Sequence, residues 1–189
     1  MKKIVLLFIL LFGIISISNA QLGVRAGLNI SDVSYSSDDG GVATNSLTGF
    51  HIGVVNTFNL SEKIDFRPGI LYSAKGFNSN DGSEDLDAKF GYFEVPLDFV
   101  YNASGVEGLK LNAGPYVGIL TSAKVNGIDF KDDVESLDFG INVGLGYRFG
   151  DISIGAQYGL GMAELVKDND GGSESAKNTN ISFYGIYHL

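Results

Sequence analysis

The chain has no cysteine and no tryptophan, only three prolines, and 13 Lys and Arg against 22 Asp and Glu. Each shortage removes a class of explanation. Without cysteine there is no disulfide framework, no thiolate nucleophile and no site for a lipid-anchoring thioether. The formal charge of −9 repels phosphate backbones, so no nucleic acid partner is expected. Long hydrophobic runs are lacking beyond the first twenty residues, so nothing later reads as a membrane-spanning helix.

Those first residues have a composition of their own. MKK is followed by the apolar run IVLLFILLFGIISI and then by the small residues of SNA. A basic start, an apolar stretch too short to span a bilayer, and a small-residue cleavage site describe an export signal. We expect residues 1–20 to be a cleaved signal peptide and residues 21–189 to form one β-barrel domain.

Glycine is abundant, with 26 residues, and it falls at alternating places within apolar stretches. Period-two alternation, the mark of a strand with two unlike faces, recurs over 22–33, 48–60, 64–76, 92–102, 109–121, 139–150, 152–162 and 180–189. These runs are long enough to cross a bilayer as tilted strands, which takes about 9–11 residues. Their connections alternate between long and polar (36–46, 76–90, 123–136, 166–178) and short (61–63, 102–108, 150–151). That rhythm belongs to an up-and-down meander with its long loops at one end, the plan of outer-membrane barrels.

The two faces decide what surrounds the sheet. In FGINVGLGYRFG (139–150) one face carries Phe139, Ile141, Val143, Leu145, Tyr147 and Phe149. The other carries Gly140, Asn142, Gly144, Gly146 and Arg148. Along the chain this second face collects Arg25, Asp65, Arg67, Lys75, Glu94, Asp98, Lys110, Asp138 and Arg148, interleaved with glycine. A water-facing strand would use Lys, Glu, Thr and Ser, and would avoid glycine. A narrow barrel lumen has a use for both: the charges must pair once buried, and glycine leaves room for them. The expected fold is therefore all-β, an eight-stranded antiparallel up-and-down transmembrane β-barrel with its large apolar residues toward lipid. The lumen would be filled by a self-neutralising charge network and would not conduct. The alternative is a soluble, lipocalin-like ligand-binding barrel with the apolar face inside.

One constellation suggests chemistry. His51, Ser73 and Asp138 all fall on the inward face near the long-loop end, and a Ser–His–Asp set performs acyl transfer when its geometry is right. This gives a second alternative, a lipid-modifying barrel enzyme, against the reading of three ordinary lining residues. The long loops carry acids such as Asp38, Asp81, Asp87, Asp129 and Asp168 but lack the spacing of a calcium loop, so no metal and no cofactor is expected.

Several segments resemble the PorT-like outer-membrane β-barrel family of Bacteroidetes. They are the Ala20–Gln21 junction, GVRAGLNIS (23–31), RPGILYSAKG (67–76), YFEVPLDFVY (92–101), LNAGPYVG (111–118) and FGINVGLGYRFG (139–150). The resemblance implies a bacterial outer-membrane barrel, and a few such proteins serve in protein secretion. Expected partners are outer-membrane lipid and an envelope protein reached through the acidic outer loops, in a structural or interaction role without enzyme activity.

Overall fold

The computed structural model describes residues 20–36, 44–80, 85–103, 107–163 and 175–189. Eight long strands form its wall: β1 (Ala20–Ser36), β2 (Thr44–Asn59), β3 (Ile64–Asn80), β4 (Asp85–Asn102), β5 (Leu109–Val125), β7 (Leu137–Phe149), β8 (Ile152–Gly161) and β9 (Ser175–His188). The two-residue β6 (Ile128–Asp129) folds back on β5 and a short 3-10 turn follows at Lys131–Asp133. Each wall strand pairs antiparallel with its neighbours, and β9 pairs with β1, so the sheet closes on itself.

Closure fixes which face is which. Leu28, Phe50, Phe93, Ile119, Val143, Leu145 and Phe183 point outward and are about half exposed. Arg25, Asn29, His51, Lys75, Asp98 and Asp138 point inward and are buried. The lipocalin-like alternative requires the opposite arrangement and is corrected here: the apolar side chains form the outer band, and the interior is charged. Near the short-turn end the band ends on Tyr101, Phe149 and Tyr187. Near the other end Tyr72 lies between Phe50 and Phe93, with ring centroids 5.9 and 6.1 Å away. Aromatic girdles of this kind sit at membrane–water interfaces.

The strands are longer than the alternation of the sequence suggests. The polar stretches expected to be loops at 36–46, 76–90 and 123–136 are partly strand, because β2 begins at Thr44, β3 runs to Asn80, β4 begins at Asp85 and β5 runs to Val125. Outside the apolar band a strand needs no greasy face, so its period fades while its ladder continues. Asn126-Gly127, with φ of 50° and 83°, makes the tight turn between β5 and β6. Positive φ at both central residues matches the twist of a two-residue hairpin. All three prolines lie inside strands, at Pro68, Pro96 and Pro115. The regular pairing lapses beside them, between Pro68–Leu97 and Leu71–Glu94 and between Pro96–Tyr116 and Phe99–Ala113. Proline has no N–H to give the ladder.

Glycine makes the narrow bore feasible. Arg25 stands opposite Gly53, and Lys110 opposite Gly146. A Cβ on Gly155 would come within 2.5 Å of the Tyr184 ring, which fills the lumen there.

Candidate functional site: the filled lumen

The lumen is layered. Toward the short-turn end, Val55, Leu71, Tyr184 and Ile186 form a small apolar cluster. Arg25 lies over the face of Tyr184, its guanidinium carbon 4.0 Å from the ring centroid. Cations favour that face because of the ring's quadrupole. Asp98 then takes two arginines at once, Arg25 at 3.8 Å and Arg67 at 3.5 Å. These are ion-pair distances beyond hydrogen-bond reach, so direction is supplied elsewhere. Arg25 Nη2 donates to Gln157 Oε1 at 3.0 Å.

Higher in the bore Lys75 is the hub. Its ammonium meets Glu94 Oε2 at 2.7 Å and Asp138 Oδ2 at 3.4 Å, and lies 4.7 Å from the centroid of the Tyr116 ring. Asp138 also accepts from Asn178 Nδ2 at 3.2 Å and from the Tyr116 hydroxyl at 3.4 Å. One ammonium between two carboxylates, with neutral donors on the Asp138 oxygens, balances the charge of this buried cluster.

Six of the nine charged residues expected in the lumen network therefore meet in these ion pairs: Arg25, Arg67 and Asp98 below, Lys75, Glu94 and Asp138 above. The other three sit near the short-turn mouth with neutral partners. Asp65 accepts from Asn59 at 2.7 Å and from Asn102 at 3.2 Å. Lys110 donates to Asn102, and Arg148 Nε donates to the Gly150 carbonyl at 2.7 Å. For these three, side-chain direction alone could not distinguish a lumen ion pair from a position at the rim.

The hydrogen bonds do not assemble the Ser–His–Asp set: each member has other partners. His51 Nε2 accepts from Arg25 Nε at 3.3 Å, which leaves the ring proton on Nδ1, facing Asn29 Oδ1 at 2.9 Å. Ser73 accepts from Asn29 Nδ2 at 3.0 Å, and Asp138 is held by Lys75, Tyr116 and Asn178. The lone pair needed to take a serine proton is already engaged by a guanidinium. His51 and Ser73 are cross-strand partners in register, which explains their proximity without catalysis. At the short-turn end Ser153 Oγ lies 2.9 Å from His188 Nε2.

Asn29 was not singled out from the sequence, although its inward parity was readable. Its amide binds Ser73, the Ala74 carbonyl, His51 and Ser182, so one side chain ties four strands together. Above the charges the bore turns apolar again: Ala88, Phe90, Tyr92, Leu120 and Ala123 pack together, with Phe77, Val125 and Val134 against them. Phe77 and Phe90 come from the stretch expected to be polar loop, so the cap was hidden in it. A residual cavity among Arg25, Asn29, His51, Lys75 and Gln157 measures about 10 Å³, at the threshold for a single water. Among the described residues no group of His, Asp and Glu is placed to hold a metal ion.

A closed sheet with an apolar exterior, aromatic girdles and a charged, packed interior defines a small transmembrane β-barrel. The sequence profile of the outer membrane protein beta-barrel domain matches residues 16–165, and the chain belongs to that family. It is a protein of the bacterial outer membrane, embedded in lipid. Among solved structures, Neisserial surface protein A is similar over 91% of this chain and all of its own, with a TM-score of 0.57 and 14% identity. Ail, the attachment invasion locus protein of Yersinia pestis, solved with the heparin analogue sucrose octasulfate, is similar over 90% of this chain and 99% of its own (TM-score 0.51, 18% identity). OprG of Pseudomonas aeruginosa is similar over 90% and 96% respectively (TM-score 0.51, 13% identity). No curated protein matches in sequence.

Proposed function

We propose that this barrel is a structural and docking component of the outer membrane, not a pore and not an enzyme. The observation that carries this reading is the packed bore. Two ion-pair clusters and an apolar cap leave a cavity of only about 10 Å³ among the central side chains. Ions need a continuous water path, and this lining offers charge without one. The wall then serves as an anchor, and the acidic outer segments serve as the surface shown to an envelope partner. Of the acids of the long polar segments, Asp85, Asp87, Asp129, Asp132, Asp133 and Glu135 lie among the described residues. Asp38, Asp39, Asp81, Glu84, Asp168, Asp170 and Glu174 lie outside them. An accessory role in protein secretion would follow from the resemblance of the segments at 67–76 and 92–101 to PorT-like Bacteroidetes barrels, a few of which serve in secretion. Delivery rests on the export signal at residues 1–20, which lie outside the described residues apart from Ala20.

Planar-bilayer recording tests the central point. The purified barrel is expected to give no steady conductance steps, and reproducible steps would overturn the reading. Crosslinking from cysteines placed at Asp129 and Asp132, followed by identification of captured envelope proteins, tests the docking role; capture that persists equally from Lys63 on the opposite end would count against it.

A further inference from the structure

One patch of the outer wall is built unlike the rest. At the long-loop end of the β4–β5 ladder the register slips: Tyr92 pairs with Leu120, while Gly91 pairs with Ser122. Thr121 is the extra residue of a β-bulge. Bulges at barrel rims re-aim side chains. Here the bulge gathers hydroxyls around a bare glycine. A Cβ on Gly91 would meet Ser122 Oγ at 2.7 Å, Tyr72 Oη at 2.8 Å and Thr121 Oγ1 at 3.1 Å. Thr121 donates to the Gly91 carbonyl at 2.8 Å, so its oxygen is fixed in place.

Immediately farther out, Lys89 and Lys124 are cross-strand partners in register, both exposed on the outer face. Like charges set directly opposite one another are unfavourable in a sheet. Asp87, farther out still, contacts Lys89 at 2.5 Å, and Asp129 stands opposite Lys124. Going outward from the bilayer the order is therefore Phe50, Tyr72 and Phe93, then the hydroxyls at Gly91, then the two ammoniums with Asp129 on the far side of Lys124 from Lys89, then Asp87. Anything rising from the membrane reaches the hydroxyls and ammoniums before it reaches that carboxylate. This is the depth at which lipid headgroups lie, just above the aromatic girdle.

We propose that this patch binds the phosphate of a phosphorylated glycolipid in the outer leaflet. Lys89 and Lys124 hold the phosphate, and Ser122, Tyr72 and Thr121 face the sugar over Gly91. The lipid's chains lie along Phe93 and Ile119. The occupant follows from position and charge together: the site opens sideways onto the bilayer, and its cations stand together on a chain that is otherwise acidic.

The test uses the full chain, refolded in detergent and checked for its heat-sensitive gel mobility. Native mass spectrometry would measure retention of bisphosphorylated lipid A and of its fully dephosphorylated form. The wild type is expected to retain the phosphorylated lipid, and the Lys89→Ala/Lys124→Ala variant to bind it roughly thirty-fold more weakly, the loss expected from two lysines at an anionic lipid surface. Dephosphorylation should cause a comparable loss in the wild type and little further loss in the variant. Lys63→Ala, at the opposite end, should change nothing. Equal retention by the double variant, or equal weakening by Lys63→Ala, would overturn the proposal. So would displacement of the lipid by an equal concentration of inorganic phosphate, which would make the patch a site for free anions.

Discussion

The middle of the lumen and its outer cap face the same way and are made of opposite materials. Around Lys75 the packing is ionic, with two carboxylates on one ammonium. A few residues farther out it is Phe77, Phe90, Leu120 and Ala123. Both regions are buried and packed, but they fail differently. An apolar layer loses contacts in proportion to the atoms removed. An ionic layer loses its balance all at once, since each carboxylate depends on the same cation. The difference teaches that two independent kinds of packing fill the bore, and the proposed non-conducting reading would have either one suffice as a seal.

Breaking the ionic layer should have the largest effect. Lys75→Met leaves Glu94 and Asp138 facing each other without a cation, and should cost about 3–5 kcal/mol. Urea unfolding in detergent would read this, and the triple change Lys75→Met/Glu94→Gln/Asp138→Asn should recover much of it. If the triple variant is no more stable than the single one, the charge balance is not what matters. Phe90→Ala in the cap should cost about 3–4 kcal/mol. It should still give no conductance in planar bilayers, because the ionic layer below remains closed; current through this variant would show that the two seals are one.

The outer wall supplies a third term. Val143 is exposed on the lipid face in mid-strand, between Ala113 and Tyr158. Val143→Arg should cost about 2–4 kcal/mol in a bilayer, and that penalty tests the face assignment directly. A neutral effect in lipid vesicles would mean that this face is covered by protein. The smallest change expected is Asn29→Ala, about 1–3 kcal/mol from buried hydrogen bonds left unmade. It should also free His51 and Ser73, visible as altered imidazole resonances by NMR, with no hydrolysis of ester substrates. Ester hydrolysis lost in Ser73→Ala would reopen the catalytic reading.

The wall was legible from its alternation, because lipid on one side and a crowded bore on the other leave strong, opposite marks on alternate residues. Phe139 through Gly150 can be assigned residue by residue on that ground alone. Legibility stops where the environment stops being two-sided. Asn78 and Asp87 are cross-strand partners in the β3–β4 ladder, yet their segment reads as loop because water bathes its outer side. Phe77 and Phe90 are masked by the same polar setting. Pairing was hidden for another reason. Parity places Lys75 and Asp138 inside, but only register and bulges set their heights, and a bulge such as Thr121 leaves no mark in composition. The role of Asn29 was hidden likewise, since one amide bridging four strands is a property of closure.

The seam between β1 and β9 carries a consequence for assembly. Gly23 pairs with His188 and Ser36 with Ser175, and the backbone N–H of Leu189 reaches the carbonyl of Leu22. Strands that are neighbours in the wall are thus the first and last of the described strands. Until β9 arrives, β1 offers a row of unpaired amides and carbonyls that hydrocarbon cannot solvate. The sheet cannot wait in the bilayer half-made. It must either close before it enters or lean its open edge on a temporary strand lent by something else. The β1–β9 ladder is therefore the one that removes the last open edge, and a defect confined to β9 should leave β1 with backbone groups that the bilayer cannot satisfy.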